Sequence, residues 1–284
     1  MLGSVPGIRH DRVAPVEETR LHWLVLPECL DQAWGSGASR ISEILWGQYA
    51  LFLTMRLQDD LLDGDDNDPA MALVAHRALL ESLEAFSGRP RLGPSFWALY
   101  RRALSDTLDG MLEARFIETE PGRFATRDLE VHARVCGIFR IGTAAVCHMH
   151  RRARELRWLL PLLDALAVTC QIFDDLEDLP SDLERGRYTW VANTFLGLAP
   201  GEALTPSGRR RRPVEAFMGN QRLATVRDRL RHLAKKMVRI VPKRAPSPIH
   251  DLVRDLSARP DAVVQCLHEA RVRWVFGDLV NVHN

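Results

Sequence analysis

Two short acidic segments carry the side chains best suited to chemistry. The first is LQDDLLDGDD (57–66) and the second is FDDLEDLPSD (173–182). Each holds two adjacent aspartates and a third one three residues further on; these are Asp59, Asp60 and Asp63, then Asp174, Asp175 and Asp178. Carboxylates this close together repel one another, raise each other's pKa and cost stability unless a cation compensates. The pattern predicts a Mg²⁺ site, because Mg²⁺ takes one or two carboxylates and leaves its other positions to water and phosphate.

The second segment extends the pattern to a fourth aspartate. Asp174, Asp178 and Asp182 lie four residues apart, so they share one face if the helix continues through Pro180. Arg187 follows and could hold a phosphate by charge-assisted hydrogen bonds. A solvated acidic helix end would explain either segment alone, but the repetition of the pattern favours a metal site.

Long apolar helices must position both segments. Apolar residues at helical spacing predict helices, and period-2 alternation typical of strands is essentially absent, so we expect an all-α fold. The predicted helices are 16–30, 40–63, 70–86, 95–118, 127–154, 156–177, 214–240, 247–258 and 260–280. The helix that ends at the first segment is apolar nearly all round, which indicates a central position.

Length and composition favour one domain. The chain has 284 residues, 46% of them hydrophobic, and a formal net charge of +1. We expect a flexible arm at 1–16 and a single helical domain at 17–284. The balanced charge gives no support for nucleic-acid binding. Five dispersed cysteines are typical of free thiols in a reducing cytoplasm, and neither a signal peptide nor a membrane-inserted helix is expected.

The paired DDxxD motifs resemble those of the trans-prenyl diphosphate synthase and class I terpene synthase superfamily. The stretch QIFDDLEDLPSDLERGRYT is similar to the second motif of prenyl synthases, and the resemblance covers about residues 40–190. It implies an all-α, class I terpenoid synthase-like bundle with a central cavity. It also implies a prenyl diphosphate substrate and Mg²⁺, with three ions bridging the two motifs and the diphosphate. A homodimer is compatible with the resemblance.

The resemblance also implies roles for individual residues. Asp59 and Asp63 would hold two ions, and Asp174 would hold the third with Asp178 or Asp182. Asp60 and Asp175 would be weaker metal ligands that orient arginines. The residues that would bind the diphosphate are Arg140, Arg187 and Arg273. For Arg140 a structural ion pair remains an equal alternative, because an arginine on an apolar helix needs a partner.

Aromatic residues near the motifs could line a pocket for the prenyl chain, where their faces would stabilise a carbocation. The candidates are Phe52, Phe139 and Phe173, with Trp46 and Tyr49 one turn or more away. Core packing is the alternative for each of them. The run Arg209–Arg212 lies in a polar, turn-rich segment and favours a solvated loop, although its guanidinium groups could reach phosphates.

The segment after the first motif decides between two activities. Chain-elongating synthases have a paired arginine there for isopentenyl diphosphate, whereas this chain reads GDDNDPAM and has no basic residue before His76 and Arg77. We therefore expect a single-substrate class I terpene synthase, which ionises a linear prenyl diphosphate and cyclises or quenches the cation. The alternatives are a trans-prenyl diphosphate synthase, acting by elongation or head-to-head condensation, and a non-catalytic synthase subunit.

Overall fold

The chain folds into an all-α bundle, as the sequence predicts. The computed structural model describes residues 26–35, 41–64, 68–202 and 220–259, and no strand occurs among them. The helices are α1 (26–34), α2 (Ile41–Asp63), α3 (Ala70–Ser87), α4 (Pro94–Glu118), α5 (Glu130–Val135), α6 (Phe139–Met149), α7 (Leu156–Glu177), α8 (Leu179–Arg185), α9 (Trp190–Leu196), α10 (Asn220–Ile240) and α11 (247–259).

Helix α7 forms the centre of the bundle. It packs against α5, α6, α9 and α10, while α2 packs against α3 and α6. Its apolar residues are almost completely buried over five turns, including Leu159, Leu162, Ile172 and Phe173. Because burial of apolar area is the main favourable term in folding, α7 organises the core and fixes where the second acidic segment emerges.

The segment Ala153–Glu177 is long and apolar enough to cross a membrane. Most of its apolar stretch is buried inside the bundle, however, as expected for the central helix of a soluble protein. Its apolar character is therefore accounted for by packing against other helices.

The single helix expected at 127–154 is wrong, because this region contains two short helices joined by a 3₁₀ turn. The turn spans Cys136–Ile138. The hydroxyl of Thr107 on α4 donates to the carbonyl of Arg134 at 3.1 Å, and a Cβ at Gly137 would lie 2.9 Å from that hydroxyl oxygen. The backbone thus approaches α4 so closely that a regular helix would not fit here.

The helix does not continue through Pro180, which was the condition for Asp174, Asp178 and Asp182 to share one regular helix face. Helix α7 ends at Glu177, Asp178 forms a bend, and α8 begins at Leu179. Pro180 has no amide hydrogen to continue the helical ladder. The amides of Asp178 and Asp182 still donate to the carbonyls of Asp174 and Asp178 at 2.9 Å each, so successive aspartates remain one turn apart across the bend.

Several predictions concern residues outside the described part of the chain. These are the arm at 1–16, the start of the first helix, the run Arg209–Arg212, the final helix with Arg273, and Cys266. The other predicted helices are confirmed, with α2, α3, α4 and α7 beginning and ending within a residue or so of the expected positions. Free thiols are found at Cys29, Cys136, Cys147 and Cys170.

Candidate active site

The first acidic segment forms the last turn of α2. The side chain of Asp59 is 47% exposed, and that of Asp60 is 26% exposed. Arg56, one turn earlier, lies 3.0 Å from a carboxylate oxygen of Asp60 and 4.0 Å from one of Asp59. Asp60 therefore pairs with an arginine, as predicted, while Asp59 remains accessible from solvent.

The second acidic segment has a similar arrangement at the end of α7. Asp174 is half-buried and Asp178 is exposed. Asp175 is buried, and its Oδ1 accepts a hydrogen bond from Nε2 of Gln171 at 3.0 Å. In both segments the second aspartate thus has a partner one turn earlier, although in this case the partner is a glutamine rather than the predicted arginine.

Cys136 lies between the two acidic segments. Burial raises the pKa of its thiol to about 12, and the negative charges of Asp174 and Asp59 raise it further, whereas Arg140 lowers it. Coulomb interactions weaken with distance, and the turn that holds Cys136 packs against both α2 and α7. The first aspartates of the two segments therefore face one region of the bundle, although 115 positions separate them in the sequence.

Three acidic side chains are buried behind the second segment: Glu118, Asp175 and Asp182. Nε and Nη2 of Arg187 donate to Oε2 of Glu118 at 3.3 and 3.0 Å, and Nε lies 3.9 Å from Oδ1 of Asp182. Burial, Glu118 and the neighbouring aspartates raise the pKa of Asp175 well above its usual value. Burial raises the pKa of Asp182 to about 7, although Arg187 opposes this shift.

Hydrogen bonds also hold the backbone directly after Arg187. The amide of Tyr188 donates to the carbonyl of Glu118 at 2.7 Å, and Nδ2 of Asn193 donates to the carbonyl of Tyr188 at 3.0 Å. Oδ1 of Asn193 accepts from the amide of Gly122 at 2.8 Å. The segment that follows the second motif is thereby fastened to the end of α4.

Arg140 forms an ion-pair network. Its Nε and Nη2 donate to Oδ1 of Asp164 at 3.0 and 2.7 Å, and Nη1 donates to Oδ2 of Asp106 at 3.4 Å. Only 17% of the Arg140 side chain is exposed. Of the two interpretations that the sequence left open, the structure shows the ion pair, which links α6 with α7 and α4.

A small apolar cluster forms around Met55 and Phe52, which lie one and two turns before Asp59 on α2. Its buried members are Met55, Met111 and Ile138, and Phe52 and Phe139 pack against them with ring centroids 6.3 Å apart. Phe173 is 2% exposed and belongs to the main core instead, while Trp46 and Tyr49 are exposed. Phe52 and Phe139 are therefore the aromatic residues placed to contact an apolar chain that extends from the acidic segments.

The aspartate carboxylates fit Mg²⁺ only if a bound ligand supplies further oxygen atoms to the ion. No group of three histidine, cysteine, aspartate or glutamate side chains is arranged to hold an ion in the described part of the chain. Asp59, Asp174 and Asp178 offer accessible carboxylates on two helix ends, which suits an ion that also takes water and phosphate oxygens. Asp175 and Asp182 are buried against Gln171 and Arg187.

Sequence reasoning missed Glu118 and Cys136. Glu118 is the last residue of α4, where a negative charge interacts unfavourably with the helix dipole. That local conflict was a usable signal that a partner elsewhere must compensate. Cys136 carried no such signal, because a single cysteine in an apolar run is typical of core packing.

Comparisons with known proteins agree on the fold. No family model and no curated protein matches the chain in sequence. Among solved structures, a decaprenyl diphosphate synthase from Rhodobacter capsulatus is 15% identical, with a TM-score of 0.66 over 90% of this chain and 89% of that one. A geranylgeranyl pyrophosphate synthetase from Geoglobus acetivorans is 15% identical, with a TM-score of 0.69 over 91% of each chain. A polyprenyl synthase from Roseobacter denitrificans is 14% identical, with a TM-score of 0.67 over 92% of this chain and 90% of that one. The chain therefore has the fold of trans-prenyl diphosphate synthases.

Proposed function

We propose that this chain is a Mg²⁺-dependent prenyltransferase that ionises an allylic prenyl diphosphate and joins the prenyl group to a second prenyl unit. The observation that carries the proposal is that the turn Cys136–Ile138 packs against both α2 and α7, the two helices that end in the acidic segments, and that Asp59 and Asp174 both act on the Cys136 thiol. The three structural neighbours are all prenyl synthases, which favours transfer over the single-substrate reaction expected from the sequence.

The carboxylates of Asp59, Asp63, Asp174 and Asp178 would hold the metal. Mg²⁺, when bound, offsets the negative charge of the diphosphate and so makes it a better leaving group. Asp60 and Asp175 would keep the orientation of each helix end through Arg56 and Gln171. These assignments place the accessible carboxylates of Asp59, Asp174 and Asp178 at the ligand and the paired Asp60 and Asp175 in support.

The apolar cluster would receive the prenyl chain. Phe52 and Phe139 present ring faces, which stabilise a nearby cation by roughly 0.5 to 2 kcal/mol each. Met55, Met111 and Ile138 would exclude water that otherwise quenches the cation. Arg140 would add positive charge to the site. Its ion pairs with Asp164 and Asp106 would keep its guanidinium group in place when a ligand binds.

A class I terpene synthase is the second candidate, because one specific observation favours it. Asp65, Asp66 and Asp68 follow the first motif, where a site for isopentenyl diphosphate needs positive charge. Arg77, among the first basic residues after the motif, pairs with Glu81 on the same helix. This acidic environment favours ionisation of one substrate followed by cyclisation or quenching.

One experiment distinguishes the two candidates. The protein is incubated with Mg²⁺ and geranyl, farnesyl or geranylgeranyl diphosphate, with and without isopentenyl diphosphate, and the products are separated by solvent extraction. The prenyltransferase predicts a diphosphate longer by five carbons that requires both substrates. A hydrocarbon or alcohol from one substrate alone would establish the terpene synthase instead. Absence of both products would contradict both candidates.

A further inference from the structure

The end of the bundle opposite the acidic segments is strongly cationic. Four exposed arginines lie in the connection between α6 and α7 and the first turn of α7. Neighbouring connections add three more exposed cations. We call this surface the basic end, and it consists of Arg91, Arg151, Arg152, Arg154, Arg157, Lys243 and Arg244.

Side-chain contacts bring these connections together. Nη1 of Arg91 donates to the carbonyl of Met149 at 2.8 Å, so the loop between α3 and α4 lies against the end of α6. Nη2 of Arg244 lies 3.8 Å from Oε1 of Glu155, which joins the connection between α10 and α11 to the same place. The cations therefore form one surface rather than several separate ones.

Few acids compensate this charge. Glu155 is buried, accepts a hydrogen bond from Nε1 of Trp158 at 2.7 Å and lies 3.4 Å from Nε of Arg154. Asp31 is buried against His150 at 2.8 Å, and Glu28 accepts from Gln32 at 3.2 Å. In the described part of the chain no acidic side chain pairs with Arg151, Arg157 or Lys243, so their charge faces solvent.

One of these cations, Arg151, has a strained backbone conformation. Arg151 has a φ of 57°, the only positive φ of a non-glycine residue among the described residues. It ends α6, with the amide of Arg152 donating to the carbonyl of Cys147 at 2.7 Å. Glycine adopts this conformation without steric cost, so the fold accepts strain where an arginine projects from the surface.

Three tryptophans lie at the same end. Trp34, Trp97 and Trp158 are partly buried against the core. The guanidinium of Arg152 lies 5.1 Å from the ring centroid of Trp34, and Trp97 contacts Phe96, which in turn contacts His148. Tryptophan and arginine side by side are typical of surfaces at the level of lipid headgroups.

We propose that the basic end docks on an anionic lipid surface without inserting a helix. Each arginine or lysine near such a surface strengthens binding about fivefold, and partly exposed tryptophans suit the headgroup layer. Arg157 and Asp174 are 17 residues apart along α7, or about 25 Å, so the acidic segments would point away from the negative surface. Nucleic acid fits less well, because the tryptophan rings are partly buried against the core rather than fully exposed for stacking on bases.

The test is co-sedimentation of the full chain with vesicles at low salt. Phosphatidylcholine vesicles are compared with vesicles that also contain phosphatidylglycerol. We expect binding to the anionic vesicles alone, and we expect it to weaken as salt is added. The triple variant Arg151→Gln/Arg157→Gln/Lys243→Gln should bind on the order of 100-fold more weakly, since it loses three cations.

A matched variant controls for the loss of charge itself. The control variant Arg115→Gln/Arg127→Gln/Arg231→Gln removes one cation each from α4, from the 3₁₀ turn Thr126–Leu129 and from the middle of α10. It should bind like the unchanged protein. Circular dichroism verifies folding of both variants. Equal binding to neutral and anionic vesicles, equal loss in the two variants, or preference for a duplex RNA over the vesicles would each overturn the proposal. Because sedimentation needs no turnover, its outcome is independent of the proposed reaction.

Discussion

Arg187 donates two hydrogen bonds to Oε2 of Glu118, a residue 69 positions earlier in the chain. This contact joins the segment after the second acidic motif to the end of α4. It also compensates one of three buried acidic side chains, the others being Asp175 and Asp182. The arginine that the sequence assigned to the diphosphate thus has an acidic partner within the fold.

A double-mutant cycle tests that role. Arg187→Gln leaves Glu118 buried without its counter-charge, so we expect about 2 kcal/mol less free energy of unfolding. Glu118→Gln combined with Arg187→Gln should recover most of the loss, because the uncompensated charge is gone. Thermal or urea unfolding in the absence of metal measures both effects.

The same variants separate structural from ligand-binding roles. Inorganic diphosphate with Mg²⁺, followed by calorimetry, should bind the double variant nearly as well as the unchanged protein. Binding that remains as weak in the double variant as in Arg187→Gln would show that the guanidinium contacts the diphosphate directly.

Asp59→Ala and Asp174→Ala should each reduce turnover by orders of magnitude. Loss of one carboxylate removes a metal ligand, while relief of repulsion keeps the metal-free fold as stable as before or more so. Release of diphosphate and thermal unfolding measure the two effects. Asp228→Asn, on an exposed part of α10, is the control and should change neither. Near-normal turnover of an alanine variant at saturating Mg²⁺ would exclude its acid as a ligand.

The stability of the metal-free protein should depend on pH through Asp182. Its pKa is raised to about 7 in the fold, above the ordinary value of 3.8. The folded state therefore holds this proton more tightly than the unfolded state. The stabilisation is fully present below about pH 4 and is lost as the pH rises through about 7, a change on the order of 4 kcal/mol.

Asp182→Asn should flatten this pH profile, because the amide does not titrate. Unfolding curves between pH 4 and 8 provide the measurement. A profile that rises with pH in this range, or one that Asp182→Asn leaves unchanged, would assign the raised pKa to another group. Asp175 shifts in the same direction and adds to the effect without changing its sign.

Phe52→Ala should allow longer prenyl chains. The Phe52 ring lies against Phe139 and closes the apolar cluster about two turns before Asp59. Truncating the ring opens space along the line from the acidic segments, so the product or preferred substrate should lengthen. Chromatography of the products shows the change, and Phe173→Leu, within the main core, should leave the length unaffected.

The sequence by itself determined the fold class, the bounds of the long helices and the two acidic segments. These features are local, because helical periodicity and helix-ending residues act over a few turns. The pairing of Asp60 with Arg56 is local for the same reason, since residues four apart on a helix are neighbours. The comparison with solved structures independently shows the same fold class.

Only the tertiary structure decided which charges meet. Arg140 is paired with Asp164 and Asp106, and Arg187 with Glu118, although 24, 34 and 69 positions separate these residues. The break at Cys136–Ile138 likewise follows from close contact with α4, which no local propensity encodes. The packing of the whole core sets the distances in space between these side chains. A buried charge pairs with whichever opposite charge the fold brings close to it.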